Sequence, residues 1–294
     1  MWLRLFRLLA KAPLSWLHVL GAALGWAVYL FDPLYRRRLR EHAIAAGVDP
    51  TRARRSIGHM GRMILETPKL WCRPPEQPLG SLARWAGEDL ITPALKLGRG
   101  VLVLTPHLGA FEVVGQIYAE THGAAHPMTA MYRPARQRWL QEVVRTSRDR
   151  PGLEAAPANL SGVRHMLRAL KAGHCVGLLP DQVPPDGQGV WAPFFGRPAY
   201  TMTLAAKLAQ QTGATILLLF AERLPHGRGF VVHQYAMPEA LPADADAAQS
   251  AAVINRAMEH LIRMCPEQYL WSYNRYKGPR PQDAAPAASR DAGA

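Results

Sequence analysis

The chain has 294 residues, of which 49% are hydrophobic and 19% charged, so it can bury a core and is not disordered throughout. Lysine and arginine number 35 against 22 acidic residues, and the net charge of +13 indicates an anionic partner: a membrane surface, phosphorylated lipid, nucleic acid or an acidic protein. The three cysteines, Cys72, Cys175 and Cys265, lie far apart. This spacing excludes a disulfide framework and a cysteine-rich zinc site, and it fits a reducing compartment.

The N-terminal fifth of the chain carries much of the charge and the longest apolar run. Residues 1–60 hold ten basic and three acidic residues, so +7 of the net +13 lies there. The run from Leu14 to Phe31 would extend ~27 Å as a helix, close to the ~30 Å hydrocarbon thickness of a bilayer. Upstream, Arg4, Arg7 and Lys11 form a basic stripe on an otherwise apolar segment, which is typical of a membrane-surface helix. We therefore predict a membrane anchor and basic flank over residues 1–40, either spanning or half-inserted.

Two other interpretations of the apolar run stay open. Gly21-Ala22-Ala23 offers small residues for signal-peptide cleavage, but the run continues to Phe31 and then meets an arginine cluster, which is a stop signal. A buried core helix would show the same hydrophobicity. Because the basic residues after the run outnumber those before it, we expect the larger part of the protein to be cytoplasmic.

From Gly100 onward, short apolar strands alternate with helical patterns. The predicted strands cover 101–104, 128–132, 175–179, 214–224 and 229–236, with the last antiparallel to its predecessor. The predicted helices cover 109–120, 136–149, 161–172, 201–212 and 247–264, and Ser161 is the expected cap of the third. This alternation predicts an α/β fold with a mixed central sheet flanked by helices. We assign residues 41–278 to that domain and expect the tail, 279–294, to be disordered.

The strongest candidate for chemistry follows the first predicted strand. His107 comes directly after that strand, and Gly109 allows a tight turn into the next helix, where Glu112 lies. On one helix the two side chains would point ~140° apart, so they can meet only if His107 precedes the helix. A carboxylate so placed would accept the imidazole Nδ1–H and leave Nε2 free to take a proton from a hydroxyl nucleophile.

The His-x4-Glu spacing alone is weak evidence. With eleven histidines and 22 acidic residues, about one such pair is expected by chance, and a structural histidine would fit the spacing equally well. The context is more specific, because the pair lies in the first of six segments that occur in order. They are TPHLGAFE at 105–112, MYRP at 131–134, GLLPDQ at 177–182, VWAPFFGRPAYT at 190–201, AERL at 221–224 and PEQYLWSYNRYK at 266–277.

With the basic, apolar N-terminus, this ordered set resembles the late acyltransferases of lipid A biosynthesis, the lauroyl and myristoyl transferases of Gram-negative bacteria. The resemblance extends to Lys277 and implies a glycerolipid acyltransferase-like fold. It also implies a bacterial inner-membrane enzyme whose catalytic domain faces the cytoplasm. Such an enzyme moves a fatty acyl chain from acyl carrier protein to a hydroxyl of a Kdo-bearing, anionic lipid A precursor, with His107 as general base oriented by Glu112. No metal or organic cofactor is implied.

Three further residues are predicted to bind substrate. Arg133 follows a predicted strand, and its guanidinium would hold a phosphate or a sugar acid. Arg148 is a second candidate, and Asp181 ends a strand on the same side of the sheet as His107. His122 and His126 have a zinc-like spacing, but they lie in a glycine- and alanine-rich loop without an evident third ligand, so we predict no metal site.

Two other functions compete with this interpretation. A glycerophospholipid acyltransferase that acts on lysophosphatidic acid would use the same base, although Glu112 rather than aspartate favours the lipid A branch. A membrane-tethered basic protein without catalysis would also explain the charge. The sequence has no aromatic-interleaved basic groove or recognition helix, so we expect no nucleic-acid partner.

Overall fold

The computed structural model describes residues 2–132, 137, 140, 141, 143, 144, 147, 150–242 and 244–278. The predicted tail, 279–294, and most of the predicted helix 136–149 lie outside these residues. The domain boundaries at residues 40 and 278 stay predictions.

Helices occupy the N-terminal third and then alternate with strands. They are α1 (Trp2–Lys11), α2 (Leu14–Phe31), α3 (Pro33–Ala45), α4 (Pro50–Trp71), α5 (Ile91–Lys96), α6 (Phe111–Thr121), α7 (Leu160–Lys171), α8 (Leu204–Thr212) and α9 (Ala247–Met264). Short 3-10 turns cover Gly80–Leu82, Pro225–Gly227 and Pro266–Gln268.

The strands form one central sheet and one separate hairpin. They are β1 (Ala83–Ala86), β2 (Val101–Leu104), β3 (Met128–Tyr132), β4 (Leu153–Pro157), β5 (Cys175–Leu178), β6 (Gly189–Phe194), β7 (Arg197–Met202), β8 (Thr215–Arg223) and β9 (Phe230–Ala236). The seven-stranded sheet has the order β1-β9-β8-β2-β5-β3-β4, and β6 pairs with β7. Neighbours in the large sheet are parallel except β8 and β9, which are antiparallel.

This architecture confirms the predicted mixed sheet flanked by helices. The four residues of β2 are almost completely buried, as their continuous apolar run predicts for a strand covered on both faces. β2 lies between β8 and β5, with Val101 opposite both Thr215 and Cys175. The carboxyl ends of β2 and β5 therefore meet at the same edge of the sheet, which is where ligands collect in open α/β folds.

Two local predictions are wrong. The cap of α7 is Asn159, whose Oδ1 accepts hydrogen bonds from Gly162 N at 3.1 Å and Ser161 Oγ at 2.7 Å, so the helix begins one residue earlier than predicted. The glycines and prolines after Asp181 predict a long loop up to Pro198, but this stretch instead contains β6 and the start of β7, which form a hairpin. Pro193 and Pro198 face each other there, and a two-stranded hairpin tolerates them because each strand keeps an unpaired edge.

Close packing between α2 and α4 fixes the N-terminal helices against the rest of the chain. Gly21 and Gly25 on α2 face Gly61 on α4, and a Cβ on Gly61 would lie 1.8 Å from the carbonyl oxygen of Gly21. Glycine is therefore required for the backbones to approach this closely.

By length and composition, α2 qualifies to cross a membrane, and no second such helix is found among the described residues. Its two faces differ. Leu14, Leu17 and His18 are buried with the glycines, whereas the opposite face exposes large apolar side chains: Trp16, Val19, Leu20, Leu24 and Phe31. The helix is thus neither a fully buried core helix nor an isolated span.

Candidate active site

His107 lies in the turn that joins β2 to α6. Thr105 N donates to Leu178 O at 3.1 Å, which extends the β2–β5 pairing one residue beyond the strand. The chain then reverses through Gly109, whose φ of +61° is in the left-handed region. A Cβ at Gly109 would lie 1.9 Å from Ala221 O, so this turn accepts only glycine.

The segment around residues 266–271 also contacts this turn, through two backbone hydrogen bonds. Gly109 N donates to Gln268 O at 3.1 Å, and Leu270 N donates to His107 O at 3.3 Å. Two segments of the ordered motif set, 160 residues apart in sequence, are thus hydrogen-bonded along their backbones.

Asp181 fixes both the backbone and the ring of His107. Its Oδ2 accepts the backbone N–H of His107 at 2.9 Å, and its Oδ1 lies 2.7 Å from the imidazole Nδ1. The structure therefore gives Asp181 the Nδ1 contact that the sequence assigned to Glu112, and that assignment is wrong. The reason is topological: β5 adjoins β2, so the residue after β5 reaches the ring directly.

The Asp181 side chain is 2% exposed and holds His107, which makes it a positioning residue, and its predicted contact with substrate stays a prediction. Burial alone would raise the pKa of this carboxyl. The charge of His107, the two hydrogen bonds from His107 and the more distant charge of Arg275 outweigh burial, and the pKa of Asp181 is lowered. The carboxylate is ionised beside the imidazolium, and when the ring loses one proton the hydrogen bond to Oδ1 keeps the remaining proton on Nδ1.

The opposite nitrogen of the ring is available as an acceptor. Because Nδ1 faces a carboxylate, Nε2 is the unprotonated nitrogen, and the Gln182 amide donates to it at 3.1 Å. The His107 side chain is 17% exposed. A hydroxyl that displaces Gln182 would meet a base whose ring is already oriented.

A cavity of about 280 Å³ opens beside His107; we call it the central cavity. Its polar lining residues are Thr105, His107, Glu112, Gln116, Ser147 and Gln182. The rest of its lining is mostly apolar and comes from β2, β3, β4, β5 and α6, with Val103, Val114, Gly115, Met128, Leu153 and Gly177. A mostly apolar cavity with a few polar groups suits an amphipathic substrate that presents one reacting group at His107.

The predicted site residues thus fall into three groups. His107 and Asp181 are directly bonded, Glu112 lines the same cavity from the first turn of α6, and Arg133 and Arg148 lie outside the described residues.

Comparison with known proteins identifies the family. The profile described as bacterial lipid A biosynthesis acyltransferase matches residues 1–278. The chain is 30% identical over 225 residues to the lipid A biosynthesis lauroyltransferase of Escherichia coli K12, covering 74% of this chain and 69% of that one. It is also 30% identical over 222 residues to the lipid A biosynthesis palmitoleoyltransferase of the same strain, with the same coverage.

The chain belongs to the bacterial lipid A biosynthesis acyltransferase family. A third relative, the lipid A biosynthesis acyltransferase of Haemophilus influenzae, is 26% identical over 64% of this chain and 57% of its own length. Family membership confirms the resemblance seen in the motifs. It supports an acyltransferase of lipid A biosynthesis over a glycerophospholipid enzyme and over a binding protein without catalysis.

A buried charge network ties the turn that carries His107 to the N-terminal helices. Arg223 on β8 donates to both carboxylate oxygens of Glu66 on α4, at 2.5 and 2.6 Å, and to Gly109 O at 3.0 Å. His18 on α2 completes the network through Nε2, 2.9 Å from Glu66 Oε2. The pKa of Glu66 is lowered although burial opposes this, because the charge and hydrogen bonds of Arg223 and the contact with His18 favour the carboxylate.

Sequence reasoning missed Gln182, Glu66 and Arg223. Gln182 stands next to Asp181 in the quoted GLLPDQ segment, so the order of the motifs contained a signal for it. Glu66 and Arg223 are 157 residues apart, and no local spacing links them.

Proposed function

We propose that this acyltransferase moves a fatty acyl chain from acyl carrier protein to a hydroxyl of a Kdo-bearing lipid A precursor. The reaction takes place at the cytoplasmic face of the bacterial inner membrane. The observation that carries the proposal is that His107 lines a mostly apolar cavity, with its Nδ1 held by a buried carboxylate. The cavity suits an acyl chain, and the oriented imidazole suits an acceptor hydroxyl.

His107 acts as the general base. Nε2 takes the proton of the acceptor hydroxyl while the hydroxyl oxygen attacks the thioester carbonyl carbon, and the carbonyl electron pair moves onto its oxygen. The tetrahedral intermediate then collapses, the C–S bond breaks, and the leaving thiolate takes the proton from the imidazolium. No acyl-enzyme is needed because the thioester is already activated.

Asp181 serves this proton transfer by stabilising the imidazolium. Its charge lies 2.7 Å from Nδ1 in a buried environment, where an ion pair is stronger than in water. Glu112 lines the same cavity as His107. We assign it a contact with substrate or with the positive charge that develops on the His107 ring. Arg133 and Arg148 are proposed to hold anionic groups of the acceptor.

Mass spectrometry of lipid A from strains with and without the gene tests the acceptor. We expect loss of the gene to lower the mass of lipid A by one acyl chain, and a plasmid copy to restore it. A copy with His107→Ala should not restore it, although the variant should be present in the membrane fraction. If lipid A is unchanged and phosphatidic acid falls instead, the enzyme is a glycerophospholipid acyltransferase.

A further inference from the structure

A second and larger cavity, of about 750 Å³, lies between the end of α1, the end of α4 and the segment that follows α4. We call it the basic cavity because four cationic side chains line it: Arg7, Lys11, Lys69 and Arg73. No carboxylate is found among the described residues that line it. Such a wall repels cations and attracts a multiply charged anion.

Arg73 is the buried part of this wall. Its side chain is only 8% exposed, and Nη2 donates to Gln116 Oε1 at 2.8 Å and lies 3.0 Å from Glu120 Oε1. Nε and Nη1 are also buried, and neither has a hydrogen-bond partner within the part of the chain that the structure describes. Buried guanidinium nitrogens are normally satisfied, so two open donors in a cationic wall indicate a missing acceptor.

Among the described residues, the cations near Arg73 are met mostly by carbonyl oxygens rather than by carboxylates. The buried Arg150 donates only to carbonyl oxygens, including Arg73 O at 2.6 Å and Pro74 O at 3.1 Å. Burial and then the charge of Arg73 lower the pKa of Arg150 to about 10. Lys69 likewise donates to carbonyls, Ala12 O at 2.9 Å and Ala10 O at 3.3 Å. Glu120 alone pairs with this group of cations among the described residues.

We propose that the basic cavity binds the phosphate group of an anionic lipid, with Arg73 as its buried anchor and Arg7, Lys11 and Lys69 around it. A phosphate has several acceptor oxygens, so it can accept from one open donor of Arg73 and from the neighbouring lysine and arginine side chains at the same time. A lipid is favoured over a soluble anion because α1 exposes Leu5 and Leu8 beside the basic side chains, as a membrane-surface helix does. The site is distinct from the base at His107, and it does not rest on the proposed acyl transfer.

The two cavities nevertheless share a wall. Gln116 lines the central cavity, and its side chain accepts from Arg73 and donates to Leu70 O at 3.2 Å. A lipid phosphate in the basic cavity is therefore one side chain away from the central cavity. The phosphate belongs either to a membrane phospholipid or to the phosphorylated acceptor itself.

The rate at which Cys72 is alkylated measures whether the basic cavity is occupied, without an assay of enzyme activity. It lines the basic cavity and is half-buried, whereas Cys175 and Cys265 are buried in the core. Full-length protein in neutral detergent is treated with a maleimide, with dihexanoyl phosphatidic acid or the uncharged dihexanoylglycerol present. At about ten times its dissociation constant, phosphatidic acid leaves about a tenth of the sites empty, so alkylation of Cys72 should slow about tenfold. Dihexanoylglycerol should not slow it.

Matched variants locate the protection. Arg7→Ala with Lys11→Ala removes two charges that line the cavity, and we expect the phosphatidic acid needed for half-protection to rise at least fivefold. Arg4→Ala with Arg37→Ala removes two exposed charges that do not line it, and half-protection should be unchanged. Equal protection by dihexanoylglycerol, or equal loss in the two double variants, would overturn the proposal.

The source of the phosphate follows from a second arm of the same assay. The phosphorylated lipid A precursor replaces phosphatidic acid at equal concentration. Stronger protection by the precursor assigns the site to the acceptor, and stronger protection by phosphatidic acid assigns it to membrane phospholipid. Protection by neither lipid rejects the site, whatever the outcome of the acyl-transfer assay.

Discussion

At the scale of single residues, we expect the orientation of the His107 ring to control the proposed acyl transfer. The two carboxylate oxygens of Asp181 accept from the ring and from the backbone N–H of His107. In Asp181→Asn an NH₂ group replaces one of these oxygens, and an NH₂ group cannot accept. The variant also lacks the charge that stabilises the imidazolium. We expect kcat to fall ~10²-fold or more, since a positioned base contributes ~10²–10⁴-fold, while KM changes little.

The control for Asp181→Asn is Asp186→Asn, an exposed aspartate in the following loop whose Oδ1 accepts from Gly187 N. It should retain wild-type kinetics. Combining Asp181→Asn with His107→Ala should cost little more than His107→Ala alone, because both residues serve one proton transfer. Losses that multiply in the double variant would contradict this coupling.

The size of the central cavity should determine which length of acyl chain the enzyme prefers in its donor. Met128 lines this cavity and is buried, and its Sδ would lie 3.2 Å from a Cβ on Gly177. Met128→Ala lengthens the cavity and should shift the kcat/KM preference toward longer acyl donors, by roughly fourfold for each additional buried CH₂ at ~0.8 kcal/mol. Kinetics with a series of acyl carrier protein thioesters measure this.

Met166→Ala is the matched control, because Met166 is equally buried but packs in α7 away from the cavity. Both variants should be destabilised by about 2–5 kcal/mol. Only Met128→Ala should change the preferred chain length. The same shift in both variants would show that the effect comes from loosened packing.

The sequence predicted the position of His107 in the fold but not the partner of its Nδ1. His107 and Asp181 each follow a buried apolar run, and this pattern correctly predicted that both lie at one edge of the sheet. Which carboxylate reaches Nδ1 depends on the strand order, β5 beside β2, and that order is set by packing of the whole sheet. Glu112 is the acidic residue nearest to His107 in sequence, and His107 does precede the helix as that interpretation required, but spacing along the chain does not show that a neighbouring strand brings Asp181 to the ring.

At the scale of elements, the contact between α2 and α4 depends on glycine. Gly61→Ala would place a methyl group 1.8 Å from Gly21 O and 2.6 Å from Gly25 N, so the two helices must separate. On the next turn, Gly58→Ala would meet Ala22 Cβ at 3.5 Å, which is an ordinary contact. We expect thermal unfolding in detergent to show a clear fall in Tm for Gly61→Ala and little or none for Gly58→Ala.

The Glu66 network makes stability depend on pH. The pKa of Glu66 is lowered in the folded protein, so its contribution is fully present above the usual glutamate pKa of ~4.3 and is lost as pH falls below it. Glu66→Gln should cost about 3–5 kcal/mol at pH 7, because Arg223 stays buried without its ion pair. Its denaturant midpoint should also fall less between pH 5 and pH 3 than that of the wild type.

Glu88→Gln removes an exposed carboxylate and serves as the control for Glu66→Gln. Its stability and pH dependence should match those of the wild type. If Glu66→Gln behaved like Glu88→Gln at pH 7, the buried ion pair would contribute no net stability.

Helices and strands with a clear hydrophobic pattern were predicted with the most accurate bounds. The bounds of α2, β3 and α9 agree with the structure, because long amphipathic or continuous apolar patterns end at clear breakers such as Pro13. β1 and β4 were not predicted. They are four and five residues long and lie at the two edges of the sheet, where burial is incomplete and the apolar pattern is weak.

At the scale of the whole molecule, basic side chains and exposed apolar side chains occur in the same N-terminal region. The exposed face of α2, the leucines of α1 and the cations of the basic cavity all belong to the N-terminal helices and the end of α4. The buried network of His18, Glu66 and Arg223 connects the same helices to the turn of His107. A membrane surface that contacts α1 and α2 would therefore lie beside the basic cavity, in position to supply a lipid to it.

Substitutions on the exposed face of α2 test this orientation without disturbing the fold. Leu20→Glu with Leu24→Glu places two carboxylates where lipid is expected, each costing ~2.5–3.5 kcal/mol at the centre of a bilayer. We expect most of this double variant to move to the soluble fraction while its Tm stays near that of the wild type. Leu160→Glu is the control, since Leu160 is 77% exposed but begins α7 on the catalytic domain, and it should stay with the membrane.

Wild-type protein should also stay bound in 1 M salt, where the Debye length is ~3 Å and apolar insertion is unaffected. Complete release of the wild type by salt would show that the basic side chains alone hold the protein on the membrane, and the apolar face of α2 would then need another partner.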